Sequence, residues 1–495
     1  MERQKKVFVS SLFLFLLVAL LIFPPLSWRR EKRETPLRFG QSRDQEEISF
    51  KAPKRNVWAE LTEEEADGVY SFLIDKWVGL NITRSPASAY DNFIYNVEAL
   101  RPNKTDVLPY FHGNHGEPER WAKVVLSRYL SESQTSLLTY YTVGPLPISE
   151  NTTVMPLAFP FRPGRNYVSN PMIDFIGAQE FASNLLESIS DITMTILGAK
   201  LDKENPGSSD SLLFLGRPER VEGGESIMWA QFFRPGTGSA ARTLLPQGLY
   251  CKIHVAGLAA QWTVSKWFYN GVIYESAEHL RAAMSSPSFL QASPNRDGPW
   301  TDTEDFDATI DGREKPPPIS VQPHGPRYKL DASERFVSWF GFEFYFTSTP
   351  ATGISIYDIR FKGERVMYEL SLQEALAHYA GDDPMAGGQE FLDTFFGMGT
   401  NAFELLPGYD CPQYADFLST KIHRNGKTET RTNNVCLFEF TSDHLLSRHT
   451  AQYSVTASRN TFLTLRSVST VGNYDYTIDY IFYLDGTIEV KVSTA

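Results

Sequence analysis

Residues 462–483 read Phe462-Leu-Thr-Leu-Arg-Ser-Val-Ser-Thr-Val-Gly-Asn-Tyr-Asp-Tyr-Thr-Ile-Asp-Tyr-Ile-Phe-Tyr483. β-Branched and aromatic residues crowd both halves, so strands are predicted over Ser454–Ser467 and Tyr474–Tyr483. The same signal recurs upstream at Phe336–Thr347, Ile354–Phe361, Arg365–Ser371 and Val435–Phe440. One short helix is predicted over Ser371–Ala377. A last strand, Thr487-Ile-Glu-Val-Lys-Val492, runs to Ala495 without turn or cap. Residues 319–495 are therefore expected to be the N-terminal part of an all-β domain, cut short within a sheet.

Moving outward, the order of elements changes. Residues 286–318 are rich in Pro, Asp, Gly and Ser and read as a linker. Before it lie two units with a helix-then-strands grammar, 57–148 and 149–285, which predict a pair of small α+β domains. The first opens on a capping box, Thr62 with Glu65, followed by the apolar stripe Ala66, Val69, Leu73, Trp77. The second has one long helix predicted over Ala178–Leu197, ended by Gly198, and a type I′ hairpin at Asn270-Gly271. Residues 29–56 are polar and aperiodic and read as a stalk.

The N-terminus suggests the compartment. Val7 to Phe23 is apolar, with Arg3, Lys5 and Lys6 before it and Arg29, Arg30, Lys32 and Arg33 after it. No small-residue cleavage site precedes Pro24-Pro25, so residues 1–28 are read as an uncleaved signal anchor. Sequons at Asn81, Asn103 and Asn151 place the body on the lumenal or extracellular side. The expectation is a single-pass membrane glycoprotein, with a secreted form of the same body as the variant. The net charge of −12 argues against a nucleic-acid partner, which needs a basic face.

No nucleophilic triad, phosphate loop, dinucleotide fingerprint or His-Glu-x-x-His appears, and the histidines form no His-x-His pair. His112 and His115 fall in a Gly-rich loop and read as a solvated turn. Taken by themselves, these residues leave enzyme and receptor undecided. Longer segments go further. Thr470-Val-Gly-Asn473-Tyr474-Asp475-Tyr476 resembles the Thr-x-x-Asn-Tyr-Asp/Glu-Tyr signature of copper amine oxidases. Gln322–Tyr328, Asp358–Arg365, Tyr368–Leu376, Phe391-Leu-Asp393 with Gly397-Met-Gly399, and Asp410-Cys-Pro412 are similar in order and spacing to the animal, membrane-anchored members. The resemblance spans about residues 60–495 and implies α+β N-terminal domains followed by an all-β catalytic domain resembling the amine oxidase β-supersandwich.

It also implies a chemistry. Tyr474 would become topaquinone through copper-dependent oxidation, and a primary amine would condense with it as a Schiff base. Asp393 would be the proton acceptor, a role suited to a buried carboxylate of raised pKa. Tyr379 would hydrogen-bond a quinone oxygen, Asn473 would orient the ring, and Phe391 would stand at the channel gate, where relatives often carry tyrosine. Oxygen would restore the quinone, so the products are aldehyde, ammonia and hydrogen peroxide. Cys411 and Cys436 match the family's disulfide, leaving Cys251 as a buried free thiol. The implied assembly is a homodimer.

The resemblance puts the copper histidines and the calcium-site carboxylates beyond Ala495. No metal ligand is expected in the chain, and none of its histidines is a substitute; His449 is read as structural. Copper, topaquinone and calcium are thus expected of the complete protein and not of this stretch alone. Two functions remain: part of an amine oxidase, or a non-catalytic adhesion or decoy glycoprotein.

Overall fold

The computed structural model describes residues 50–494, except 114, 160–162, 171–173, 206–207, 209–210, 217–218, 236–243, 302–317, 389 and 473. The expected signal anchor, most of the stalk, most of the linker and Asn473 lie outside the described residues.

Helix α1 (Glu63–Lys76) starts where the sequence says: Thr62 Oγ1 accepts from Glu65 N at 3.1 Å, and Glu65 accepts from Thr62 N at 2.9 Å. Its buried residues Ala66, Val69, Tyr70 and Leu73 cover the sheet formed by β1 (Phe93–Leu100), β2 (Arg120–Leu130) and β3 (Thr135–Leu146), with α2 (Lys104–Phe111) between β1 and β2. Short strands β4 (Thr153–Pro156) and β5 (Tyr167–Ser169) both pair with β3.

The next core lies between helices and a second sheet. The helix expected over 178–197 is two helices, α3 (Phe175–Ser188) and α4 (Ser190–Leu197). Ile189 leaves helical geometry (φ −113°, ψ 16°), and the Ser188 hydroxyl donates to Leu185 O. Breaking there turns Ile189, Ile192 and Ile196 together into the core. The sheet is β6 (Leu213–Gly216), β7 (Arg220–Glu222), β8 (Glu225–Phe233), β9 (Pro246–His254), β10 (Thr263–Tyr269) and β11 (Val272–Tyr274), followed by α5 (Ala277–Met284). Asn270 and Gly271 take φ 48° and 79°, as a type I′ turn requires at both central positions, and Tyr269 pairs with Val272. Cys251 is free and buried, and burial pushes its thiol up.

The remaining strands form a sandwich. One layer is β12 (Lys329–Asp331), β13 (Phe336–Trp339), β14 (Phe342–Thr349), β15 (Gly353–Phe361) and β16 (Glu364–Ser371), in that order. The small hairpin β17 (Leu376–His378) and β18 (Glu390–Leu392) follows, then α6 (Asp393–Phe396). The other layer holds β19 (Asp416–Arg424), β20 (Lys427–Thr450), β21 (Val455–Val471), β22 (Tyr474–Tyr483) and β23 (Ile488–Thr494). Phe344 stacks on Phe482 at 4.5 Å and Phe342 meets the same ring edge-on at 5.1 Å, closing the two faces on each other. The Cys411–Cys436 disulfide is formed and ties the segment before β19 to β20.

Two further features depart from the reading of the sequence. The helix predicted over Ser371–Ala377 is absent: β16 ends at Ser371, and Leu376–His378 is strand, paired with β18. Its apolar spacing is served by long-range pairing instead, Ala375 O accepting from Asp393 N at 2.9 Å. Secondly, β1 pairs with β19 (Asn96↔Arg424, Val97↔His423), so β4-β3-β2-β1 continue into β19 to β23 as one sheet of ten strands, counting β5.

Candidate active site

Strand β22 alternates, and Tyr474, Tyr476, Ile478, Tyr480 and Phe482 share its inner face. Exposure falls along that row from 38% at Tyr474 to 0% at Phe482, so Tyr474 is the open end of a buried aromatic column. Gly472, with φ 62°, supplies the reversal that brings β22 back beside β21, Val471 opposite Tyr474.

The β17–β18 hairpin faces this open end. Ala377 is opposite Phe391 and His378 opposite Glu390. Period two therefore sends Ala377, Tyr379, Phe391 and Asp393 to one side and leaves Leu376, His378, Glu390 and Leu392 on the exposed other. Tyr379 donates its hydroxyl to Tyr474 Oη at 2.7 Å. The ring of Phe391 meets that of Tyr379 edge-on, centroids 5.9 Å apart. Asp393 is buried, and its Oδ2 accepts from Tyr476 Oη at 2.7 Å. The hairpin thus delivers Tyr379 and Asp393 to consecutive inward positions of β22, Tyr474 and Tyr476, with Phe391 against the ring of Tyr379. Asn473 belongs to the undescribed residues.

The turn that bears Asp393 is held from below. Glu374 accepts from Ala375 N, Thr394 N and Thr394 Oγ1, clamping the two ends of the hairpin together. Gly397 and Gly399 lie against the β14–β15 turn, and a Cβ on Gly399 would come 2.0 Å from Thr349 O. The loop between β17 and β18 folds on itself, Asp383 accepting from Met385 N and Ala386 N. Met385 then inserts into the second unit's sheet among Ile227, Trp229 and Tyr250, with Phe268 beside them.

Burial pushes the phenol of Tyr379 far above the usual tyrosine range, and the neighbouring Tyr474 adds to this. Burial does the same to Tyr476, with the Asp393 carboxylate second. Both phenols therefore stay protonated and serve as donors. Sequence reading gave Tyr476 no role, although its place two residues after Tyr474 on a strand puts it on the same face. Glu374 had no local signal at all.

Among the described residues no group of three or more His, Cys, Asp or Glu side chains is placed to hold a metal ion. His112 and His115 are exposed, and His449 is exposed opposite Thr456 on the outer half of β20. Asn81, Asn103 and Asn151 are all exposed. No helix of the described residues is long and apolar enough to cross a membrane; the Val7–Phe23 run is not among them.

Residues 330–495 match the family described as copper amine oxidase, enzyme domain, and residues 241–306 match a domain of unknown function (DUF1965). The copper amine oxidase vicK1 of Bipolaris victoriae is 36% identical over 449 residues, covering 89% of this chain. The chain is thus similar to copper amine oxidases over most of its length. It spans 61% of the length of vicK1 and 60% of the copper-containing diamine oxidase of Sus scrofa, which is 30% identical. A crystal structure of Aspergillus nidulans amine oxidase superposes with a TM-score of 0.82 at 40% identity, covering 90% of this chain and 60% of that one. The likeness is to copper amine oxidases broadly, with fungal proteins at the higher identities, and does not single out the animal, membrane-anchored type expected from the motifs.

Proposed function

We propose that this chain contributes the amine-side machinery of a primary-amine oxidase, which converts a primary amine and O2 to aldehyde, ammonia and hydrogen peroxide. The observation that carries the reading is the convergence of Tyr379 and Asp393, through their hydroxyl contacts, on Tyr474 and Tyr476 of one strand face. The residues fit a quinone at position 474: its ring is reachable from solvent, and Tyr379 already holds its oxygen. Topaquinone formed there would supply an electrophilic carbonyl and a sink for two electrons. Tyr379 then fixes the ring's orientation through that hydrogen bond. Asp393 takes the proton from the substrate carbon beside nitrogen, and its burial keeps water from competing for that proton. Phe391 has no hydroxyl and narrows the approach by bulk alone. Copper is implied by the family, but the described residues assemble no site for it, so no step here is drawn through it.

A lumenal or extracellular body anchored by the Val7–Phe23 run is part of the same proposal, supported by the exposed sequons and the formed disulfide. So is a homodimer. The outer halves of β20 and β21 extend as an arm on which Leu445, Leu446, Tyr453 and Val455 are exposed.

The test is made on the native gene product expressed with copper, by phenylhydrazine titration, mass analysis of the Tyr474 peptide and amine-dependent peroxide release. An adduct on residue 474 with peroxide release is expected. An unmodified tyrosine and no peroxide would overturn the oxidase reading and leave the non-catalytic glycoprotein.

A further inference from the structure

We propose that Tyr476 is the positioning residue of the proton-accepting carboxylate: its hydroxyl holds Oδ2 of Asp393 and favours the charged form, leaving Oδ1 to receive the proton. The inference rests on the assignment of Asp393 as proton acceptor and adds to it the group that sets its basicity.

The geometry is specific. Asp393 is 5% exposed, and the contact from Tyr476 Oη at 2.7 Å is the one hydrogen bond its carboxylate makes among the described residues. No cation pairs with it there. The groups facing it are Tyr476 from β22, Tyr379 beyond β17 and the Glu374 carboxylate on the adjoining turn, which is occupied with Thr394 and Ala375. The phenol of Tyr476 is thus, among the described residues, the one donor placed to favour the charged form of this carboxylate. Tyr476 suits that task, because burial keeps its own proton in place across the working range. Its rigidity comes from strand register: Tyr476 is paired with Ser469 on one side and Thr494 on the other. Asp393 is fixed independently, by its amide to Ala375 O and by the Glu374 clamp on the next residue. Donor and acceptor are thus held on separate elements and meet without adjustment.

The experiment is a 13C titration of the Asp393 carboxyl in the chain without substrate, with Asp393→Asn identifying the signal. Tyr476→Phe is expected to raise its midpoint by about one pH unit, as loss of a donor to the charged form requires. Replacing residue 476 with 3-fluorotyrosine, which keeps the ring's shape and strengthens the donor, is expected to lower it, and it serves if the phenylalanine variant does not fold. In the active oxidase, the acid limb of the kcat/KM profile moves up in parallel for Tyr476→Phe. An Asp393 midpoint that stays in place in both variants overturns the proposal. Because that titration needs neither cofactor nor turnover, an inactive protein with a shifting carboxyl sinks the oxidase reading alone. An active protein with an unmoved carboxyl sinks this inference alone.

Discussion

Two buried glutamates show how differently one side chain is treated at two junctions of the fold. Glu60, in the segment leading to α1, reaches into the sandwich and accepts from Ser348 N (3.2 Å), Lys421 N (2.9 Å) and Arg335 Nη2 (3.2 Å). Glu439, on β20, accepts from Gln322 Nε2 (2.7 Å), Arg327 N (2.9 Å) and Nε (2.8 Å), and Trp339 Nε1 (2.9 Å). Their side chains are 12% and 2% accessible, so neither is open to solvent. The shifts go in opposite directions. Burial raises Glu60, and Arg335 with the two amides does not reverse it. Burial also acts against Glu439, but Arg327, Trp339 and Gln322 outweigh it and hold the carboxyl below its usual range. Burial outweighs the donors at Glu60, and the donors outweigh burial at Glu439.

The largest expected effect is on stability. Glu439→Ala leaves the Trp339 indole and the half-exposed Arg327 without their acceptor and should cost roughly 1.5–3 kcal/mol. Glu60→Ala should cost about 1–3 kcal/mol, the range for unmade buried hydrogen bonds. Urea unfolding of both compares them directly, and equal losses would break the donor argument.

Next comes pH. A depressed carboxyl stabilises the fold above its unfolded value and loses that contribution as pH falls through the folded one, so Glu439 destabilises the protein in acid below about pH 4.3. A raised carboxyl does the reverse: the contribution of Glu60 is present below about pH 4.3 and is lost as pH rises through its folded value. Glu439→Gln should therefore flatten the acid limb of the stability profile, and Glu60→Gln the limb above it. Matching slopes in the two variants would end the comparison. The smallest effect is sharper in meaning. Trp339→Phe removes one neutral donor, costs about 1 kcal/mol, and should move the acid limb toward higher pH.

Neither glutamate was legible in the sequence, because the donors lie about 100 to 360 positions away and no local pattern marks them. What was legible had a period or a motif. The α1 capping box, the Asn270-Gly271 turn and the inward row of β22 follow from spacing alone. Tyr474, Tyr379, Phe391 and Asp393 came from resemblance, and the structure brings Tyr379 and Asp393 onto β22, with Phe391 against Tyr379. The reading failed where local preference met a distant partner. Leu372, Ala375 and Leu376 have helical spacing, yet β18 claims Leu376 and Asp393 claims the carbonyl of Ala375. The helix over 178–197 failed for a smaller reason, a pair of serines around Ile189.

Met385 has a consequence for how relatives of this chain diverge. The loop that presents Tyr379 on one flank and Phe391 on the other is secured in a neighbouring unit by one flexible thioether among aromatic rings. Substitutions on β8, β9 or β10 can therefore reshape the approach to Tyr474 while every signature residue stays in place. Two descendants can keep an identical motif and differ in the surroundings of Tyr474, their histories written in a sheet that contributes none of the residues around it.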